Sequence, residues 1–331
     1  MPEPQPHLAL PSYYMNLAKT SLKRIPGLVF SVRLARAIAH RSKVAVMART
    51  IGWGSATRAR RRLVFEALSG QIVLAHHPQE SYVVATSDQV IGRSLYANGL
   101  FDFQKFETAC TLIRARSRLV PDAVLIDAGA NVGSICIPAV KRGLVARAIA
   151  FELDPDNTRL LRINALLNAV DDRINIHNMA VGAVPGEVTV HHSAANFGDH
   201  RVGAKGGGSG VVVPMITLDS IADDLNLAHC ILWMDIQGYE AFALQGARRF
   251  MEAGVPLISE FSRQELESTG SFDTFLSLLC ASGYEVFYDL NATTPDAIPV
   301  SRAALQALSE RLTQQGTFTD LLFLPMRVSG L

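Results

Sequence analysis

The sequence contains no run of the ~18 uncharged apolar residues that a membrane-spanning helix requires, so no segment is expected to cross a bilayer. Its opening, Met1 to Leu10 with three prolines, lacks the charged and apolar regions of a secretory leader, and a cytoplasmic location is expected. Cysteine is scarce: Cys110, Cys136, Cys230 and Cys280 form no C-x-x-C pair and no zinc-ligand spacing. That argues against a disulfide framework, and the four thiols read as reduced and mostly buried. No group of carboxylates and histidines has the spacing of a metal site, and no metal is expected. Missing too is the G-x-G-x-x-G turn with which dinucleotide-binding domains hold a pyrophosphate.

Acidic residues are nearly absent from one end. Residues 1–70 hold twelve Lys and Arg against Glu3 and Glu66 alone, a net of +10, while the remaining 261 residues carry 19 basic and 28 acidic side chains, a net of −9. Such a basic end beside an acidic body suits an anionic surface, and peripheral contact with an anionic membrane through residues 1–70 is one expectation. Phe30, Leu34 and Ile38 recur at helical spacing beside Arg33, Arg36, His40 and Lys43, so the stretch is also readable as a helix packed on the body with its charges in water. Residues 1–80 are taken as a basic, mainly helical extension, and residues 81–331 as the main domain. A hairpin is expected where the apolar runs Gln71 to Leu74 and Tyr82 to Ala85 flank a polar turn.

After Pro121 the rhythm changes. Short apolar runs at Val124 to Ala128, Ala148 to Phe151, Ile174 to Asn178, Ile231 to Asp235 and Leu257 to Glu260 alternate with helix-like stretches. Buried strands alternating with helices imply a parallel sheet covered on both faces, a doubly wound α/β domain. Two further runs, Tyr284 to Leu290 and Phe318 to Leu324, close the chain. Between Val188 and Val213 lies an insertion rich in glycine and polar residues, readable as a lid or a linker.

The first strand of that series runs into Asp127-Ala128-Gly129-Ala130-Asn131-Val132-Gly133 and then into a helix. Glycines allow a tight turn and close backbone approach at the carboxyl end of a parallel strand, where open α/β sheets bind ligands. An acid leading the turn would repel a pyrophosphate but suits a ligand with an ammonium group. Glu152 closes the second strand in Phe151-Glu152-Leu153-Asp154-Pro155, where a carboxylate can accept ribose hydroxyls. Asp154 is expected to cap the helix that begins at Pro155. Asp127, Gly129, Ala130, Asn131, Gly133, Glu152 and Leu153, with Asp235 at the end of the fourth strand, therefore form a candidate site for an adenosine with a cationic amino-acid tail. S-adenosyl-L-methionine has that chemistry.

Several motifs resemble the FkbM-type methyltransferase family: DAGANVG at 127–133, FELDPDN at 151–157, Thr217-Leu218-Asp219-Ser220, Met234-Asp235-Ile236-Gln237-Gly238-Tyr239-Glu240 and Ile258-Ser259-Glu260-Phe261. The family form of the fourth resembles K-I-D-V-E-G-x-E, and Trp233 and Gln237 stand here where the Lys and first Glu commonly do. The resemblance implies a Rossmann-like, mostly parallel seven-stranded sheet with a reversed last strand. It also implies methyl transfer from S-adenosyl-L-methionine, generally to a hydroxyl of a sugar, lipid or secondary metabolite.

An alcohol acceptor must lose its proton, so a positioned base is expected. Asp235 is one candidate; His200, in the polar cluster Asn196 to Arg201, is another, because imidazole titrates near neutrality. Glu240 and Glu260 are weaker candidates. The acceptor partner is expected to be a small molecule, glycan or lipid, and no nucleic acid is expected. Two alternatives stay open: an idle cofactor-binding protein that docks through its basic end, and an NAD-dependent oxidoreductase, which Asp127 disfavours.

Overall fold

The computed structural model describes residues 55–68, 70–116, 120–191, 201–202 and 211–325. By contact density the chain divides into 1–61 and 62–331. Helix α1 (Ser55–Ala67) straddles that division, followed by strands β1 (Ile72–His76) and β2 (Ser81–Ala85) and helices α2 (Ile91–Asn98) and α3 (Phe103–Ala115). The α/β series is β3 (Val124–Ala128), α4 (Cys136–Lys141), β4 (Arg147–Phe151), α5 (Pro155–Leu167) and β5 (Ile174–His177). A smaller group follows: β6 (Ala180–Val181), β7 (Gly186–His191), β8 (Arg201–Val202) and β9 (Val211–Ile216). The chain then returns to the series with β10 (Cys230–Met234), α6 (Glu240–Gln245), α7 (Arg248–Glu252), β11 (Leu257–Phe261), α8 (Arg263–Ser268) and α9 (Phe272–Ala281). It closes with β12 (Tyr284–Asp289), β13 (Ile298–Pro299), α10 (Arg302–Gln315) and β14 (Thr319–Pro325).

The main sheet has the order β13-β12-β14-β11-β10-β3-β4-β5. β5, β4, β3, β10 and β11 run parallel, and β14 is antiparallel to both β11 and β12. The sheet has eight strands rather than the expected seven, because the two-residue strand Ile298–Pro299 adds itself to the edge of β12. Strand periodicity assigns the core. Along β3 and β10, Leu125, Ile231 and Trp233 join the layer of α3, α4 and α5, while Val124, Ile126, Leu232 and Met234 join the layer of α6 to α10. Burying each such side chain stabilises by roughly 1.5–3 kcal/mol, which is why these strands are largely apolar.

The hairpin β1–β2 belongs to the same unit as the sheet, the unit of residues 62–331. Three buried polar links hold it there. Asn164 on α5 accepts from the Val83 amide at 2.6 Å and donates to the Val83 carbonyl at 3.2 Å, and Asn168 bonds both backbone groups of Ser81. Glu80, 2% exposed, takes both ends of the Arg142 guanidinium at 2.8 and 2.9 Å.

The insertion forms its own sheet, in which β7 and β9 pair antiparallel from Gly186–Met215 to Val190–Val211. Between them, 192–200 and 203–210 lie outside the described residues. Cys110, Cys136 and Cys230 are buried and Cys280 is exposed. Among the described residues no helix is long and apolar enough to cross a membrane.

Candidate active site

The carboxyl ends of β3, β4 and β10 converge on a pocket. Gly129, Asn131, Glu152, Leu153 and Asp235 line it; the structure adds Phe151, Met179, Ala180, Val181, Ile236 and Gln237. Asp127, Ala130 and Gly133 stand behind that lining and shape it. Of the candidate residues read from sequence, His200 lies outside the described residues.

The turn is built for close approach. The amides of Gly129 and Ala130 both donate to the Phe151 carbonyl, at 2.9 and 3.0 Å, which draws the end of β3 against the end of β4. Gly129 has φ +88°, and a Cβ there would fall 2.0 Å from the Asp235 carbonyl oxygen. Gly133 has φ +92°, and a Cβ there would strike Ile137 and Leu161 at 2.4 and 2.6 Å. Both glycines are therefore obligatory. The positive φ at Gly133 also delays α4, which begins only at Cys136.

Glu152 is 5% exposed, and its two oxygens accept the amides of Asn131 and Asp154, each at 2.8 Å. Burial pushes its carboxyl up to about 7 against those hydrogen bonds. Each oxygen keeps acceptor capacity for a ligand hydroxyl. Asp154 caps α5 through the amides of Asp156 and Asn157 at 2.7 and 2.9 Å, with Pro155 at the first helical position; such a cap stabilises by about 1 kcal/mol. Behind the pocket the His177 ring stacks on Phe151 at 5.2 Å, so this histidine supports an aromatic wall.

Asp127 is 1% exposed. Its Oδ2 accepts the Cys136 amide at 3.2 Å, while Oδ1 has no hydrogen-bond partner among the described residues. Burial pushes this carboxyl up to about 7, the Cys136 hydrogen bonds oppose the shift, and the nearby Asp235 adds to it. An orphaned buried carboxylate oxygen is costly unless a donor or cation meets it. A ligand ammonium fits that requirement, and a pyrophosphate does not.

At the other end of the pocket a second set of carboxyls gathers. Asp235 follows β10, and its amide donates to Ala128 at 3.1 Å. The amide nitrogen of Gln237 donates to Asp235 Oδ1 at 2.8 Å and to Glu260 Oε2 at 3.0 Å. Gln237 sits at φ +54°, uncommon for a residue with a side chain, and this strained backbone aims the amide between the two carboxyls. Glu260, 6% exposed, is driven up strongly by burial and by Asp235, while Glu240 accepts the Ile236 amide and is pushed by burial to about 8. Register brings Asp320 opposite Glu260, and the Lys105 ammonium meets Asp320 at 2.5 Å and Asp102 at 2.9 Å.

Lys105, Asp320 and the bridging role of Gln237 escaped the reading of the sequence. Asp320 left a signal, a lone acid inside the apolar run Phe318 to Leu324. Lys105 left none. Trp233 is a core residue, 3% exposed and edge-on to Phe106 at 6.0 Å. Among the described residues no group of three or more His, Cys, Asp or Glu side chains is placed so that it could hold a metal ion.

Comparison with known proteins bears on this geometry. A tRNA (guanine(37)-N(1))-methyltransferase of Coprinopsis cinerea is 37% identical over 79 residues, 23% of this chain and 17% of that protein. A tRNA(Phe) (4-demethylwyosine(37)-C(7)) aminocarboxypropyltransferase of Pyrococcus horikoshii is 37% identical over 67 residues, 20% of this chain and 24% of that protein. The matches thus span less than a quarter of either relative. The crystal structure of an FkbM methyltransferase from Methylobacillus flagellatus KT aligns at 17% identity and a TM-score of 0.39, over 80% of this chain and 58% of that one. The family model described as the methyltransferase FkbM domain matches residues 127–286, from the acid that opens the turn to the strand beyond Glu260. The segment that builds the pocket belongs to the FkbM methyltransferase domain family.

Proposed function

We propose that the chain is an S-adenosyl-L-methionine-dependent O-methyltransferase acting on a hydroxyl of a sugar, lipid or other small molecule. The observation that carries the reading is Asp127, a buried carboxyl with an orphaned oxygen at the head of a glycine turn. It supports a cationic tail, and Glu152 at the neighbouring strand end supports a ribose. When bound, the cofactor supplies a sulfonium methyl open to in-line displacement.

The protein's own part is positioning and proton management. Gly129 lets the turn approach Asp235, so that the two ends of the pocket share one wall. Asp235 faces the acceptor and takes its proton, with Gln237 fixing the carboxyl's orientation. His200 is a further candidate from the glycine-rich loop. Among the described residues no lysine, arginine or histidine lines the pocket, which favours an uncharged hydroxyl over a phosphate-bearing nucleic acid. Residues 1–70 serve as a basic extension that brings the enzyme to an anionic membrane; their removal should reduce sedimentation with phosphatidylserine vesicles.

Calorimetry tests the cofactor. S-adenosylmethionine and S-adenosylhomocysteine should bind and NAD should not; Asp127→Ala and Glu152→Ala should each weaken binding by about tenfold to a hundredfold, the loss of one or two charged hydrogen bonds. NAD binding with no response to the homocysteine product would overturn the reading.

A further inference from the structure

The carboxyl pair beside the pocket has a feature that a single base would not need. One amide nitrogen, on Gln237, reaches both Asp235 and Glu260, so two acids of like charge are held by donors from the same NH2 group. Charges on neighbouring elements make double ionisation harder. Glu240 from α6 and Asp320 from β14 press on Glu260, Asp102 and Lys105 bear on Asp235 from the α3 side, and Asp235 in turn faces Asp127 on β3. The Lys105 ammonium that could offset them is already held by Asp320 and Asp102. Two like carboxyls in such a site keep one proton between them.

Resting on the methyltransferase reading above, we infer that the Asp235–Glu260 pair, clamped by Gln237, discriminates the methyl donor from its product: it holds one proton beside a neutral thioether and releases it to solvent when a sulfonium is seated. A positive charge in the pocket favours the doubly ionised pair by Coulomb attraction across a partly desolvated site. The step balances. As the C–S bond breaks and the C–O bond forms, the acceptor's O–H proton moves to the pair, the sulfonium charge and one carboxylate charge vanish together, and the pair returns to its one-proton state. The next donor molecule expels that proton. Glu260 and Gln237 are in this sense specificity-determining residues, and the product complex loses the attraction that held the donor.

The test needs no acceptor. Asp127 and Glu152 face parts common to S-adenosylmethionine and S-adenosylhomocysteine, so any proton they exchange cancels in the difference between the two ligands. Titration calorimetry of the full chain, in buffers of contrasting ionisation enthalpy from pH 6 to pH 8, should show up to one more proton released by the methyl donor. The ratio of the two affinities should rise by up to ~tenfold per pH unit. Glu260→Gln should abolish the difference while leaving the product's affinity within a fewfold. Equal proton release by both ligands in the wild-type chain would overturn the inference and leave the cofactor assignment standing. Binding of neither ligand would overturn both, and the wild-type measurement decides even where the variant fails to fold.

Discussion

The two ends of the pocket hold their carboxyls by opposite means. At the proposed adenosine end, Glu152 and Asp127 are met by backbone amides, that of Asn131 reaching Glu152 from the neighbouring strand-turn-helix unit, with partners two to twenty-one residues away. At the proposed acceptor end, Asp235, Glu260 and Asp320 are held by side chains, one of them Lys105, 215 positions from its partner. Backbone donors cannot be removed by substitution and cannot move far, so the first end is a rigid mould. Side-chain donors can be altered one at a time, so the second end can change chemistry without disturbing the fold.

Gly129 joins the two ends and should give the largest effect. In Gly129→Val the new side chain starts 2.0 Å from the Asp235 carbonyl just past β10, at a φ that β-branched residues avoid. Cofactor affinity measured by calorimetry should fall by more than ~1000-fold, about 4 kcal/mol. Retained binding would mean that the strand ends can separate, and the contrast between a rigid and an adjustable end would collapse.

Lys105→Met probes the adjustable end. It leaves Asp320, 4% exposed, facing Glu260 with no cation, and loss of one partner of a buried pair costs about 3 kcal/mol. The melting temperature should drop by roughly 6–12 °C in this large unit. Burial already lifts Asp320 to about 6 against the lysine's pull, so the variant should recover part of its stability as pH falls and the acid is neutralised. A melting curve insensitive to both the substitution and pH would show that the ion pair is idle.

On the mould side, Asn164→Leu removes an amide that serves Val83 on the hairpin and the Val132 carbonyl in the glycine turn. Leaving those backbone groups unpaired should cost about 2 kcal/mol by chemical denaturation. Because Val132 lies inside the turn, cofactor affinity should weaken with it; stability loss without any change in affinity would separate the hairpin from the site.

The same division explains what could be read from the sequence. The strand that carries Asp127, the turn, the cap at Asp154 and the acid at Glu152 lie within 31 residues, and each follows from local backbone chemistry. Asp235 could be placed because it too ends an apolar run. Lys105 could not, since nothing local distinguishes it from a solvated lysine on an amphipathic helix; only the antiparallel return of β14 beside β11 brings Asp320 to it. The bridge at Gln237 depends on a positive φ that no residue type announces.

The smallest effect concerns pH. Asp127 and Glu152 ordinarily titrate at 3.8 and 4.5, and both are raised to about 7 by burial. In the folded, ligand-free protein each binds a proton more tightly than in the unfolded chain. Their contribution to stability is thus full below about pH 4 and is lost progressively as pH rises toward 7. The melting temperature of the free protein should fall between pH 5 and pH 8, and part of that fall is attributable to Glu152. Glu152→Gln removes that titration, so the slope should flatten by that part even though the lost acceptor lowers the curve at every pH. An unchanged slope would mean that the backbone amides keep Glu152 ionised in the fold, and the adenosine end would then be a preformed anion rather than a neutral mould that ionises on binding.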